Sequence, residues 1–232
     1  MSMRCESCNF VSKGFFCGLD PLALSGINEN KVIHKIKKGK PICLEGTTSH
    51  GIFCIRSGKV KITKKTENGK ESLLRIVTVG DLIGHYSLIN NFTYKFSAIA
   101  LEDTEACFID KQMIVDALNT HSSLAMALIK KFSDEMHECD ERFSSIVQRN
   151  VRERLAELLL NLSKSFGVQE DERIRLGVRL TRDEMGSMIG TVNETVTRFI
   201  SEFKDEGLIE EEGKTIYIVN EDKLHEFANA GK

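Results

Sequence analysis

Two sets of side chains in this sequence are candidates for a reactive or recognition site. Near the amino terminus, MSMRCESCNFVSKGFFC places Cys5 and Cys8 as a C-x-x-C pair, with Cys17 downstream. A turn between such cysteines brings both sulfurs to one side, where two thiolates converge on a metal or a cluster. The same residues also read as a tail with exposed thiols. Near the carboxyl terminus, Asn193, Glu194, Thr197, Arg198 and Ser201 form a polar row at helical spacing, opposite Val192, Val196, Phe199, Ile200 and Phe203. Arginine pairs bidentately with guanine, glutamate accepts from the cytosine amino group, and asparagine pairs with adenine, so this row suits the base edges of duplex DNA.

The elements that must position the polar row are legible around it. Thr181 and Glu184 have the spacing of a capping box, which predicts a short helix burying Met185, Met188 and Ile189 and ending at Gly190. Thr191 and Glu194 repeat the spacing one residue later and predict a second helix after a sharp corner. Gly207 closes that helix. Leu208–Ile209 and Thr215–Val219 then read as two strands around a polar turn at Gly213 and Lys214, a wing. Backbone amides, the Thr191 hydroxyl, Arg182 and Lys214 are the candidate phosphate contacts. The competing reading is a helical hairpin with a solvated face.

Upstream, residues 28–110 consist of short β-like runs punctuated by turns, including a tight hairpin at Asn68-Gly69. Many short strands imply a small sandwich or barrel. From Asp110 the period becomes helical. Leu124, Leu128, Phe132, Met136, Cys139, Phe143 and Ile146 recur three or four apart, a seam that is either buried in its own domain or paired with a second copy of the chain. Asn150 to Phe166 is a further amphipathic helix, Gly167 to Glu172 a loop, and Asn220 to Lys232 a short helix and tail. The expected fold class is α+β.

Composition restricts the function classes. The 232 residues are 41% apolar and 28% charged, with no run of about 18 apolar residues and no secretory leader pattern, so a cytoplasmic protein without a membrane partner is expected. A net charge of −2 does not exclude a nucleic-acid partner, because phosphate binding depends on local fields. Arginines crowd the second half: Arg142, Arg149, Arg152, Arg154, Arg173, Arg175, Arg179, Arg182 and Arg198. Seven cysteines, an odd number, suit thiols or metal ligands better than a disulfide framework. No nucleophile with its base stands out, so an enzyme is not expected.

The segments T-R-D-E-M-G-x-x-I-G, N-E-T-V-T-R and L-I-x-x-x-G-K-T-I resemble the winged-helix end of the Crp-Fnr family of bacterial transcription regulators. The resemblance implies that Glu194 and Arg198 read a TGA core in each half-site of an inverted repeat, with Asn193 beside the flanking base. It also implies a homodimer that works with RNA polymerase. Upstream, K-G-x-x-I, E-G, I-R-S-G-x-V, N-G-K-E and V-G-D-L-I-G resemble the cyclic-nucleotide-binding type β-roll of the same family. Members that bind cyclic AMP carry a glutamate where this chain has His85, and an Arg-Ser or Arg-Thr pair where it has Thr93-Tyr94-Lys95-Phe96. An anionic phosphate needs a fixed cationic fork, so cyclic-nucleotide binding is disfavoured.

The segment AIALEDTEACFI is similar instead to the Fnr branch, which implies that Cys107 joins Cys5, Cys8 and Cys17 as the fourth ligand of a 4Fe-4S cluster. Eight residues separate Cys8 from Cys17, a loop that closes at small entropic cost. Cys43 and Cys54 read as core. Some members bind haem in the roll, for which His85 is the candidate ligand, although a lone histidine is more often surface or satisfied core. The expected organisation is a cysteine-bearing arm (1–18), a β-roll sensor (19–112), a dimerisation helix (113–147) and a winged helix-turn-helix domain (148–232).

Overall fold

The computed structural model describes residues 14–16, 21–88 and 93–229; Cys5, Cys8 and Cys17 lie outside them. The chain divides into two compact units, residues 1–137 and 138–232.

The first unit begins with helix α1 (Pro21–Asn30) and continues through strands β1 (Val32–Ile36), β2 (Pro41–Cys43), β3 (Gly51–Ser57), β4 (Val60–Lys65), β5 (Glu71–Val77), β6 (Leu82–Ile83), β7 (Ser97–Ala100) and β8 (Thr104–Asp110). They form two antiparallel sheets, ordered β1-β8-β3-β6 and β2-β7-β4-β5. The expected hairpin is present: Lys65 pairs with Glu71 across a turn in which Gly69 takes a φ of 74°, a region costly for a residue with a Cβ. Alternation along β3 divides the core. Phe53 and Ile55 enter the cluster with Val60, Ile62 and Val77, whereas Ile52 and Cys54 face the opposite cluster with Phe16, Leu24, Ile27, Ile109 and Ile114.

The helical stretch expected as one piece is two helices, α2 (Lys111–Thr120) and α3 (Ser122–Gln148). His121 interrupts it with extended backbone (φ −121°, ψ 102°), while its carbonyl accepts from Leu124 and Ala125 to start α3. A period of 3.6 residues continues across such a break unchanged, so the pattern hid it.

The seam on α3 also needs correction. Leu124 and Leu128 are buried in the roll's own core, and Phe132 packs half-buried against the same cluster. The exposed apolar positions form a neighbouring stripe, Met126, Ile129, Met136, Phe143 and Val147, with Ser133 and Asp140 completing a three-four spacing; Cys139 and Ile146 flank it, also exposed. Thus α3 carries two adjacent apolar rows, one used internally and one exposed.

On the buried side of α3, with Leu124 and Leu128, sits a carboxylate. Glu135 is 3% exposed, yet its oxygens lie 2.9 Å from Arg75 Nη1, 3.3 Å from Lys131 Nζ and 2.9 Å from His85 Nε2, and accept from the Tyr86 hydroxyl at 2.6 Å. Burial pushes the carboxyl upward in pKa, but the hydrogen bond and charge of His85, the Tyr86 hydroxyl and Arg75 outweigh it and hold the group well below the carboxylate range. Removing one partner of such a buried group leaves uncompensated charge. Glu135→Ala is therefore expected to destabilise the roll by about 3–5 kcal/mol in urea unfolding at neutral pH. Because the folded-state pKa is depressed, the wild-type advantage should be lost as the pH falls through the acid range.

Candidate functional site

The second unit is built on α4 (Val151–Phe166), whose Leu155, Ala156, Leu159 and Leu162 are buried. The expected loop after it is a hairpin, β9 (Gly167–Glu170) and β10 (Arg173–Leu176), turned by Asp171 at φ 52°. Aspartate tolerates that region better than most residues, and the strands' exposed, charged composition disguised them. Then follow α5 (Arg182–Ile189), α6 (Asn193–Asp205), β11 (Ile209–Glu212), β12 (Thr215–Ile218) and α7 (Glu221–Asn229), with the sheet ordered β11-β12-β10-β9.

The corner between α5 and α6 depends on two glycines. Thr181 caps α5 through the expected reciprocal box with Glu184, and Gly190 ends it at φ 68°, ψ 48°. Gly186 is needed for a different reason. A Cβ there would meet the Thr191 carbonyl oxygen at 2.7 Å, so the returning backbone fits only against a bare α-carbon. The second box is absent: α6 is capped by Val192, with no side-chain bond, because the helix starts one residue later than Thr191 and Glu194 required. Val192 consequently stands 61% exposed rather than on the apolar face.

Val196, Ile200 and Phe203 of α6 are buried and Phe199 is half-buried. Glu194, Thr197, Arg198 and Ser201 are exposed together on the opposite side, and Asn193 is half-buried, its amide 3.3 Å from Asp183 of α5. Arg198 lies over the Phe199 ring at 4.6 Å and 3.8 Å from Glu202, with its side chain 65% exposed. These residues present acceptors and donors of both signs in one short row, which is what base-edge recognition requires.

The candidate phosphate contacts fare unequally. Lys214 is exposed on the turn between β11 and β12. Arg182 is ion-paired with Glu211 at 2.6 Å, so its charge is already matched. The same holds for much of the arginine excess: Arg149 meets Glu157, Arg152 meets Glu206, Arg173 meets Glu210 and Glu212, and Arg175 meets Glu170. Arg154 donates to the carbonyls of Ile146, Arg149 and Ile189, so it fixes the carboxyl-terminal ends of α3 and α5. Sequence reasoning missed this role, since nothing in the spacing distinguishes a capping arginine from a phosphate-binding one.

In the first unit, Cys107 is half-buried on β8 and pairs in register with Cys54 of β3 and Ile33 of β1. Alternation between Ala106 and Phe108 places it on the face of Ile52, Cys54 and Ile109, against which Phe15 and Phe16 also pack. Cys43 is buried, and burial raises its pKa to about 12, which suits the expected core role. Among the described residues no group of three or more histidine, cysteine or acidic side chains could hold a metal, so any cluster at Cys107 must draw its other ligands from elsewhere. His85, the haem candidate, is 1% exposed and engaged by Glu135 through Nε2. Next to it, Arg75, Tyr86, Ser87, Tyr94, Lys95 and Phe96 line a small pocket that opens to solvent.

Residues 33–121 match the cyclic nucleotide-binding domain family, and residues 153–227 the Crp-like helix-turn-helix domain family. Electron transport regulator A of Shewanella oneidensis is 31% identical over 190 residues, covering 82% of this chain and 76% of that protein. This chain belongs to the Crp-Fnr family. The CRP-like cAMP-activated global transcriptional regulator of Mycobacterium tuberculosis is 26% identical over 211 residues, 91% of this chain and 94% of that one. The crystal structure of a CRP/FNR family regulator from Thermus thermophilus shares the fold, with a TM-score of 0.74 at 24% identity over 87% of this chain and 100% of that one. The α+β architecture expected from the sequence, a roll followed by a winged helix-turn-helix, is the Crp-Fnr architecture. The protein is a DNA-binding transcription regulator of this type, and among its described residues no helix is long and apolar enough to cross a membrane.

The capping difference between the two helices is directly measurable. Thr181→Ala should cost about 1 kcal/mol in chemical unfolding of the DNA-binding unit, whereas Thr191→Ala should cost nothing through lost capping.

Proposed function

We propose that this regulator senses oxygen or redox state through a 4Fe-4S cluster held by Cys5, Cys8, Cys17 and Cys107, and that the sensed state governs binding of a homodimer to DNA. The observation that carries this is the placement of Cys107 on the sheet face against which Phe16 packs, one residue before Cys17. Four thiolates match the ligand number of such a cluster. When bound, the cluster supplies an oxygen-labile tie between the amino-terminal arm and β8. The protein does the rest. Strand β8 ends at Asp110, whose side chain accepts from Gln112 to cap α2, and α2 leads within one residue into α3. A tie at Cys107 therefore acts three residues from the last strand position and at the root of the helices.

The exposed stripe of α3 supplies the two-fold contact, with Met136 at 67% and Phe143 at 70% exposure in the unpaired chain. Two recognition helices related by that axis enter successive major grooves, so the operator is an inverted repeat with TGA-core half-sites read by Glu194 and Arg198. Asn193 sits beside the flanking base, Thr197 and Ser201 line the same face, and Thr191 and Lys214 approach phosphates. RNA polymerase is the protein partner and the cytoplasm the compartment.

Cyclic AMP, the ligand in the name of the mycobacterial relative, is the competing signal. His85 in place of the glutamate, and Thr93-Tyr94-Lys95-Phe96 in place of the Arg-Ser or Arg-Thr pair, argue against it. Haem ligation through Nε2 of His85 would first have to break its bond to Glu135.

Protein purified without oxygen is expected to contain equal iron and sulfide, with broad absorbance at about 400 nm that bleaches in air. Cys107→Ser should abolish both the absorbance and oxygen-responsive DNA binding; retention of either overturns the assignment. In gel shifts on an inverted TGA repeat, Arg198→Ala should weaken specific binding by about 1–3 kcal/mol and relax preference at the contacted base. Met136→Asp combined with Phe143→Asp should give a monomer in sedimentation while each unit stays folded by circular dichroism.

A further inference from the structure

Cys54 was expected to be a simple core residue, yet it stands directly opposite Cys107 in the β3–β8 ladder, half-buried like its neighbour. Antiparallel partners in register point to the same face. Ile55 directs both backbone groups toward β6, donating to Asp81 and accepting from Gly80. Its neighbour Cys54 must then direct its own toward β8, which makes Cys54 and Cys107 a hydrogen-bonded pair with α-carbons about 5.5 Å apart. That separation lies inside the range of roughly 4.4–6.8 Å that a disulfide spans.

We propose that Cys54 and Cys107 form a dithiol redox site that closes to a cross-strand disulfide when the protein meets a peroxide. One thiolate attacks a peroxide oxygen, becomes a sulfenic acid and releases hydroxide, which leaves as water after protonation. The partner thiolate attacks that sulfur, the S–S bond forms, and the sulfenic oxygen departs as the second water. Two thiols and one hydrogen peroxide thus give one disulfide and two waters; the sulfurs lose two electrons and the peroxide oxygens gain them. A small dithiol reverses the step by exchange. Hydrogen-bonded strand positions hold β-carbons farther apart than a relaxed disulfide prefers, so the bond is strained and readily reduced, as a reversible switch requires.

What carries this is strand register, and it shares only Cys107 with the cluster reading. Where that reading holds, the disulfide removes one ligand and bars cluster assembly until the bond is reduced.

The test uses the full chain, freed of metal and reductant under nitrogen, treated with one equivalent of hydrogen peroxide, alkylated and mapped by mass spectrometry. A peptide linking Cys54 to Cys107 is expected, lost in Cys54→Ser and in Cys54→Ala, and retained when Cys5, Cys8 and Cys17 are all replaced by serine. Alkylation of both residues, or linkage of Cys107 only to the amino-terminal cysteines, overturns the proposal. Iron and sulfide content separates the two readings: wild-type protein without either, but with the linked peptide, sinks the cluster and leaves the dithiol standing. Wild-type protein with a cluster and no linked peptide does the reverse.

Discussion

The rotation of α3 about its own axis is set by one buried carboxylate. Glu135 can be buried only while Arg75, Lys131, His85 and Tyr86 surround it, and three of those four residues belong to the roll rather than to the helix. Leu124, Leu128 and Phe132 lie on the same side and supply the apolar part of the anchor. Turning the helix by one position would bring Glu135 out of its cage and push Met136 toward it. The polar cage gives orientation, and the leucines give most of the burial energy. The outward stripe follows from that choice.

In the DNA-binding unit, the comparable constraint is the tight return of the chain at Gly186 and Gly190. It aims α6, and the surrounding charges are arranged to hold that aim. Arg154 gathers three carbonyls at two helix ends, and Arg152 stacks on Phe227 at 4.3 Å while pairing with Glu202 of α6 and Glu206 at its end. An excess of arginine that looks like a phosphate-binding surface is thus largely internal support, and the recognition row itself carries few of those charges.

Local chemistry was legible wherever a short segment determined its own structure. The Thr181 and Glu184 box, the Asn68-Gly69 hairpin and the polar face of α6 were read from a few residues each. Errors arose where tertiary context decided. Val192 capped α6 because the tight corner delayed the helix, and His121 broke a period that ran through it undisturbed. The β9–β10 hairpin was hidden by exposed, charged strands, and α1 by the polar and glycine content of PLALSGINEN. The alignment of Cys54 with Cys107 needs the pairing of strands about fifty residues apart, which no spacing in the chain encodes. The part of Cys5, Cys8 and Cys17 in the site is read from residue type, spacing and the family resemblance.

The outward stripe of α3 is not uniformly apolar: Ser133 and Asp140 occupy two of its seven positions. In a parallel two-fold pairing each Asp140 faces its own copy, so association brings two like charges together across the axis. Added salt screens that repulsion and also strengthens apolar contact, whereas it weakens the attraction to DNA proposed for Arg198 and Lys214. In the proposed homodimer, ionic strength therefore pulls association and DNA binding in opposite directions.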